Sequence, residues 1–189
     1  MSNNIRLYPW FQFLRNLLFW QANWFLFFQH ELSAAEAISL FAVFDIGTIV
    51  LEVPSGYMSD RIGRRITLIT SALAAVAGCF LLTFGAGFFV FALAQFLLGA
   101  SEAFASGTDS ALLYESLAEE DLHNEVASHE LHAFRFAFAG LAVSAFAGGF
   151  LAANTPTWTF LATAVASAIA VFIAFRFRET NQTKCENIM

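Results

Sequence analysis

Six apolar segments, each about as long as a lipid bilayer is thick, constrain this chain more than any other feature. A helix that rises 1.5 Å per residue needs about 20 apolar residues to cross about 30 Å of hydrocarbon. Backbone groups in lipid have no water to bond, so each segment must be helical. The sequence therefore predicts an all-α integral membrane protein. Its 189 residues divide into a six-helix transmembrane bundle and a polar tail, and the predicted helices are 8–28, 36–58, 66–86, 88–109, 134–153 and 158–175, within a bundle at 1–178 that precedes the tail at 179–189.

The charge content agrees with a lipid environment. Soluble domains carry about 25% charged residues, whereas this chain carries 13% and is 58% hydrophobic. So few charges cannot cover a surface that faces water, and we expect a lipid bilayer as the main surrounding. The sequence has no basic stripe for nucleic acid and no nucleophile–base set or phosphate loop. We therefore expect neither nucleic-acid binding nor enzymatic activity, and no cofactor.

The distribution of positive charge predicts the orientation. The connections after the first, third and fifth predicted helices contain no Lys or Arg, and all nine positive residues lie on or near the other side. The positive-inside rule then places both termini and the predicted loops at 59–65 and 110–133 in the cytoplasm. We expect an integral protein of a bacterial inner (plasma) membrane.

A charged stretch, GYMSDRIGRR at 56–65, interrupts the apolar sequence between the second and third predicted helices. Its glycines allow a tight reversal and a close backbone approach. Asp60 can pair with neighbouring arginines in a bidentate manner. Topology alone would explain the basic residues, but not this order of Gly, Asp, Gly and Arg.

The stretch resembles the helix 2–3 loop signature of the major facilitator superfamily. The matching residues are Gly56, Asp60, Arg61, Gly63, Arg64 and Arg65. The resemblance implies the amino-terminal six-helix half of a transporter, built as a 3+3 inverted repeat, with a substrate pathway between two halves. The implied function is transport of a small solute by alternating access, driven by an ion gradient, in the direction of efflux.

In this family the loop is understood to latch the cytoplasmic ends of the helices. Carried over, Asp60 is the latch acid and Arg64 or Arg65 is its partner. Glu115, at the end of the fourth helix, takes the place of a third acid that relays charge.

Other positions depart from the family's exporters. Gln95 stands where many proton-coupled exporters carry arginine, and the fifth helix lacks their Gly-Pro pair. Both departures leave coupling to protons open. Small residues remain at every fourth position, at Gly140, Ser144 and Gly148, and favour close helix packing.

Carboxylates inside the predicted helices are costly, at roughly 2.5–3.5 kcal/mol each at the helix centre. Asp45 and Glu52 are two helical turns apart and share a face, and Glu102 and Asp109 repeat this spacing. Arg15 is the positive charge placed deep enough to pair with them. Asp45 or Glu102 could take part in ion coupling or substrate binding; alternatively, Glu52 and Asp109 stay hydrated near the interface and the other two bond to neighbouring helices.

Two further sets of polar residues are weighed. Gln21 and Asn23, between Trp20 and Trp24, are candidates for a substrate cavity, whereas Trp24 is also a typical interfacial anchor. Histidines at 123, 129 and 132 lie in the predicted 110–133 loop without a ligand framework. We expect no metal site.

Six helices would need a second half to enclose a pathway. The sequence is compatible with a fragment, a split half or a dimer, and its partner would be a second copy or another six-helix chain. The alternative is a non-transporting six-helix scaffold or assembly partner. The identity of the substrate does not follow from the sequence.

Overall fold

The computed structural model describes residues 2–180, and all regular structure in this part of the chain is helical. Of the predicted tail at 179–189, residues 181–189 therefore lie outside the described residues. The elements are α1 (Asn3–Arg15), a 3-10 turn (Phe19–Ala22), α2 (Trp24–Gln29), α3 (Ala34–Ile62), α4 (Arg64–Phe84), α5 (Phe88–Ala105), α6 (Thr108–Ala118), a 3-10 turn (His123–Glu125), α7 (Val126–Asn154) and α8 (Thr157–Arg176).

Five helical segments of the described chain are long and apolar enough to cross a membrane, where the sequence predicts six. Four contain α3, α4, α7 and α8, and the fifth spans α5 and α6 together. The predicted first helix at 8–28 is not continuous, because α1 ends at Arg15 and α2 begins only at Trp24. At Asn16, which follows α1, both the backbone N–H and the side-chain amide donate to the Gln12 carbonyl oxygen.

The charged stretch is helical almost throughout, and not the loop at 59–65 that the sequence predicts. Helix α3 begins at a capping box between Ser33 and Glu36 and continues to Ile62. Gly63 alone separates it from α4, with φ +120°. This backbone conformation is open to glycine and strained for other residues, so one residue suffices to reverse the chain.

The predicted loop at 110–133 is also mostly helical. Helix α6 occupies Thr108–Ala118, and α7 begins at Val126, so that His129 and His132 lie on a helix. The sequence suggested a loop here because acidic and histidine residues replace the apolar ones. Amphipathic helices outside the hydrocarbon carry such residues as readily as loops do.

The bundle is held together by close helix contacts. Helix α5 packs against α3 and α4, α4 packs against α8, and α1 packs against α7. The small residues of α7 explain the last contact: Gly140 and Gly148 are buried, and a side chain on either would meet the carbonyl oxygens of Phe13 and Phe19. These glycines thus allow α7 to approach the backbone of α1 and that of the 3-10 turn which follows it.

Helices α3 and α7 are the least buried of the candidate spans. Only 17% of the apolar window of each is buried inside the fold, against 44–50% for the other three. Large side chains such as Val53 and Phe146 remain 80% and 74% exposed. Such faces require lipid or another protein segment against them.

Candidate functional site

The first site is a polar network at the ends of α3, α4 and α6, centred on Arg64. Its Nη1 atom lies 2.5 Å from Asp60 Oδ1 and 2.7 Å from Ser59 Oγ. Its Nε and Nη2 atoms lie 3.2 and 3.1 Å from Glu115 Oε1. Asp60 is half-exposed, whereas Glu115 is buried. One guanidinium therefore joins the end of α3 to α6.

The two neighbouring arginines have different partners. The Arg61 guanidinium lies 5.7 Å from the centre of the Tyr57 ring. Arg65 donates from Nη2 to the Phe175 carbonyl oxygen at 2.9 Å, which joins α4 to α8. Of the two predicted partners of Asp60, the structure places Arg64 against it.

Gly56 and Gly63 play unequal parts in this region. A Cβ atom on Gly56 would meet nothing within 4 Å, so packing in the described residues does not explain its small size. A Cβ atom on Gly63 would lie 2.5 Å from Oε1 of Glu179. Gly63 therefore allows the chain to reverse and leaves space for the carboxylate of Glu179, which follows α8.

Glu179 caps the beginning of α4, where Gly63 has no side chain to do so. Its Oε1 atom accepts from the backbone N–H of Arg65 at 2.9 Å. Burial raises the pKa of the Glu179 carboxyl above its ordinary value, although its hydrogen bonds from the backbone of residues 64–66 act in the opposite direction. Nothing in the sequence indicated this contact, because 114 positions separate the two residues.

The segment that follows α8 is fastened at two more points. Thr180 donates its hydroxyl to Glu115 Oε2, the oxygen that Arg64 does not use. Asn4 donates to the Arg178 carbonyl oxygen at 2.9 Å and accepts from the Arg178 N–H at 2.8 Å. The same Asn4 amide donates to Ser116 at 2.9 Å. The first turn of α1, α6 and the segment 177–180 thus form one hydrogen-bonded unit.

The second site lies at the end of α1 and is centred on Arg15. Arg15 Nη2 lies 2.7 Å from Glu102 Oε2, and its Nη1 lies 3.3 Å from Asp109 Oδ2. Gln12 donates to the same Asp109 oxygen at 2.8 Å. The turn at Gly107, with φ +74°, separates α5 from α6. Glu102 and Asp109 therefore do not share a face of one helix, as the sequence predicted, but converge on Arg15 from two helices.

The other acid pair is placed differently. Asp45 and Glu52 are both exposed on α3. Neither carboxylate has a hydrogen-bond or ion-pair partner among residues 2–180. Their spacing puts them on the face of α3 that the fold leaves uncovered.

A cavity of about 330 Å³ lies beside the Arg15–Glu102 pair, enclosed by the broken first span, α3, α4, α5 and α8. Gln21 lines it, but Asn23 does not. Asn23 is buried and accepts from Thr159 at 3.3 Å, which gives it a structural contact with α8. A second cavity of about 380 Å³ lies against the same ion pair, with Asp109 and Glu130 in its wall.

The histidines of the acidic region form no metal centre in the described part of the chain. His129 lies 3.6 Å from Glu125, and His132 packs on the Phe136 ring. No group of three or more His, Cys, Asp or Glu residues within 2–180 could hold a metal ion.

Comparison with known proteins places this architecture in a family. The chain matches no curated protein. The model of the Major Facilitator Superfamily matches residues 10–187, nearly the whole chain. That match, together with the apolar helices, makes this an integral membrane protein of a family whose members transport solutes. The chain therefore belongs to the Major Facilitator Superfamily.

Proposed function

We propose that the chain acts as the amino-terminal half of a secondary transporter, which exports a small solute by alternating access at the expense of an ion gradient. In this proposal the broken stretch from α1 to α2 counts as one span, which gives six crossings arranged as a 3+3 inverted repeat. Both termini lie in the cytoplasm, and the membrane is a bacterial inner membrane.

The network around Arg64 is the observation that carries the proposal. A transporter that alternates must hold its cytoplasmic helix ends in one state and release them in the other. Arg64 binds acids from two different elements, and one of them, Asp60, is half-exposed. We infer that Asp60 exchanges its contact with Arg64 for solvent or a second half during the cycle, while buried Glu115 keeps the guanidinium in place.

The membrane acids supply the proposed coupling site. Asp45 and Glu102 are the candidates, because a carboxylate within a membrane-spanning helix needs a counter-charge, which a coupling cation can supply. Glu102 is paired with Arg15, so binding of an ion there would change the pairing of that arginine. Glu52 and Asp109 support these two acids in the proposal. Glu52 lies on the exposed face of α3 together with Asp45, and Asp109 pairs with Arg15, the partner of Glu102.

A second six-helix half, either a copy of this chain or another protein, completes the proposed pathway. The uncovered faces of α3 and α7 support this, since both helices leave most of their apolar windows exposed. Asp45 and Glu52 lie on the α3 face. Two carboxylates are costly against lipid and are stabilised against a polar partner or a hydrated pathway.

The test is solute accumulation in cells that lack their own exporters. We expect cells expressing the chain with its second half to accumulate less of at least one solute in a panel than cells with an empty vector. The Asp60→Asn variant should lose this effect at equal membrane abundance. Asp121→Asn is a matched control, since it makes the same change at an exposed acid outside the network. If Asp60→Asn changes only folding or partner binding and no solute responds, the chain is a scaffold and the transport proposal fails.

A further inference from the structure

The stretch predicted as the first transmembrane helix is interrupted between α1 and α2, whereas a transmembrane helix is normally continuous. Between Arg15 and Trp24 the described chain has only a 3-10 turn, at Phe19–Ala22. The Phe19 N–H, which a continuous helix would use internally, donates to the Thr163 hydroxyl at 3.1 Å. Irregular backbone at membrane depth is tolerated only where protein covers it or where it lines a cavity.

Both conditions hold here, on opposite sides of the break. The buried glycines Gly140 and Gly148 of α7 cover the Phe13 and Phe19 carbonyls on one side. On the other side the break opens on the cavity of about 330 Å³. A cavity of this volume is at the lower end of the range for small-molecule sites.

The walls of this cavity are aromatic and mildly polar. Trp20 and Trp24 come from the break itself, and Phe41 comes from α3. The Nε1 atom of Trp20 is buried and has no hydrogen-bond partner among the described residues. A buried donor without a partner costs roughly 1–3 kcal/mol, and a water that accepts from it beside a bound ligand would remove this cost.

The charge at the cavity favours a cation. Arg15 and Glu102 are the ionisable residues in its wall. Arg15 is already bound to Glu102 and to Asp109, so that three groups carry one net negative charge when both acids are ionised. An anion would have to displace a carboxylate from Arg15, whereas a cation can approach the half-exposed Glu102 directly. Aromatic faces add to this preference through cation–π attraction.

We propose that this cavity, inside a single six-helix half, binds one monovalent organic cation with an aromatic or branched apolar body, such as a quaternary ammonium ion. The cation lies between the tryptophans of the break and Glu102. This inference rests on the proposed function, because it names the class of solute that would be transported, but binding itself can be measured without transport.

The experiment is a titration of the purified full chain in nanodiscs with benzyltrimethylammonium, followed by tryptophan fluorescence. We expect saturable quenching by the cation. Its uncharged carbon analogue, neopentylbenzene, and the anion phenylacetate should bind at least tenfold more weakly. The variant that carries both Trp20→Phe and Trp24→Phe should lose most of the signal, whereas Trp10→Phe should keep it, since Trp10 lies on the outside of α1 against Phe136.

Two variants test where the cation lies. Glu102→Gln should raise the Kd for the cation about tenfold, while Glu125→Gln, which neutralises an exposed acid before α7, should leave the Kd unchanged. Ala75→Phe fills the cavity from α4 and should abolish binding without touching a charge. The Ala75 variant decides the case if Glu102→Gln does not fold.

The proposal is overturned by three results: no saturable binding, equal affinity for the uncharged analogue, or wild-type affinity in the folded Ala75→Phe variant. Uptake into vesicles separates this failure from failure of the transport proposal. Binding of the cation without any flux in the presence of the second half would refute transport and keep the site. Flux of another solute that depends on Asp60, without cation binding, would refute the site and keep transport.

Discussion

The contact between Gly63 and Glu179 makes the most specific prediction about stability. Gly63 adopts φ +120° and ψ 153°, a region that residues with a Cβ rarely occupy. A Cβ atom here would also lie 2.5 Å from Oε1 and 2.8 Å from Oε2 of Glu179. Gly63→Ala therefore strains the reversal and pushes the carboxylate away from the first turn of α4.

The magnitude follows from two contributions. Backbone strain of this kind costs about 1–3 kcal/mol, and loss of a helix cap costs about 1 kcal/mol. We expect Gly63→Ala to lower the free energy of unfolding by about 3 kcal/mol. For a chain of this length 1 kcal/mol corresponds to about 2–4 °C, so the Tm should fall by about 6–12 °C.

The assay is thermal unfolding of the purified chain in one detergent, combined in a double-mutant cycle. Glu179→Ala alone should lower the Tm by about 2–4 °C, since it removes only the cap. If alanine at 63 has already displaced the carboxylate, the double variant should be no less stable than Gly63→Ala. Additive losses in the double variant, or a Tm of Gly63→Ala within about 1 °C of the native chain, would refute the reasoning.

Three further measurements test other parts of the structure. Gly56→Ala should raise stability by about 0.5–1 kcal/mol, because the position is helical and open; a loss of stability in the isolated chain would contradict this. Gly148→Ala should lower the free energy of unfolding by about 1–3 kcal/mol, because its Cβ would overlap the Phe19 carbonyl. The neighbouring variant Gly149→Ala, in open space, should not lower it. Equal Tm values of the two variants would count against a close contact between α7 and Phe19. The raised pKa of Glu179 means that the fold binds its proton more tightly than the unfolded chain does, so its contribution is present below the ordinary pKa of 4.5 and declines as pH rises towards the raised value. The Tm of the native chain should therefore fall relative to that of Glu179→Gln, which does not titrate, as the pH rises over this range. A Tm difference that stays constant with pH would show that Glu179 titrates normally.

The sequence predicted part of the Arg64 site. The family signature named Arg64 as one of two partners for Asp60, which lies four residues before it, although the reversal at Gly63 puts the two residues on different helices. The family signature added Glu115 to the same site, and the described geometry places it against Arg64. The predicted apolar segments 36–58, 66–86 and 158–175 overlap α3, α4 and α8.

Residues far apart in the chain met in ways that no spacing indicates. The sequence offered four acids as partners for Arg15. In the structure α1 packs against α6, which supplies Asp109, and Glu102 reaches the same arginine from α5. Glu179 was predicted to begin a polar tail, yet it caps α4, where its partner Arg65 lies 114 positions earlier in the chain. In each case the partner depends on which helices pack together, and helix propensity carries no such information.

The sequence by itself determined that this chain is helical, lies in a membrane and carries a charged reversal after its second apolar segment. These properties follow from the length of apolar runs, the scarcity of charge and the order of Gly, Asp and Arg. Only the tertiary structure decided that the predicted first helix is interrupted. A run of 21 mostly apolar residues at 8–28 satisfies the length requirement for a transmembrane helix. The break depends on Thr163 of α8, which takes up a backbone N–H, and on the glycines of α7, which make room for the exposed carbonyls.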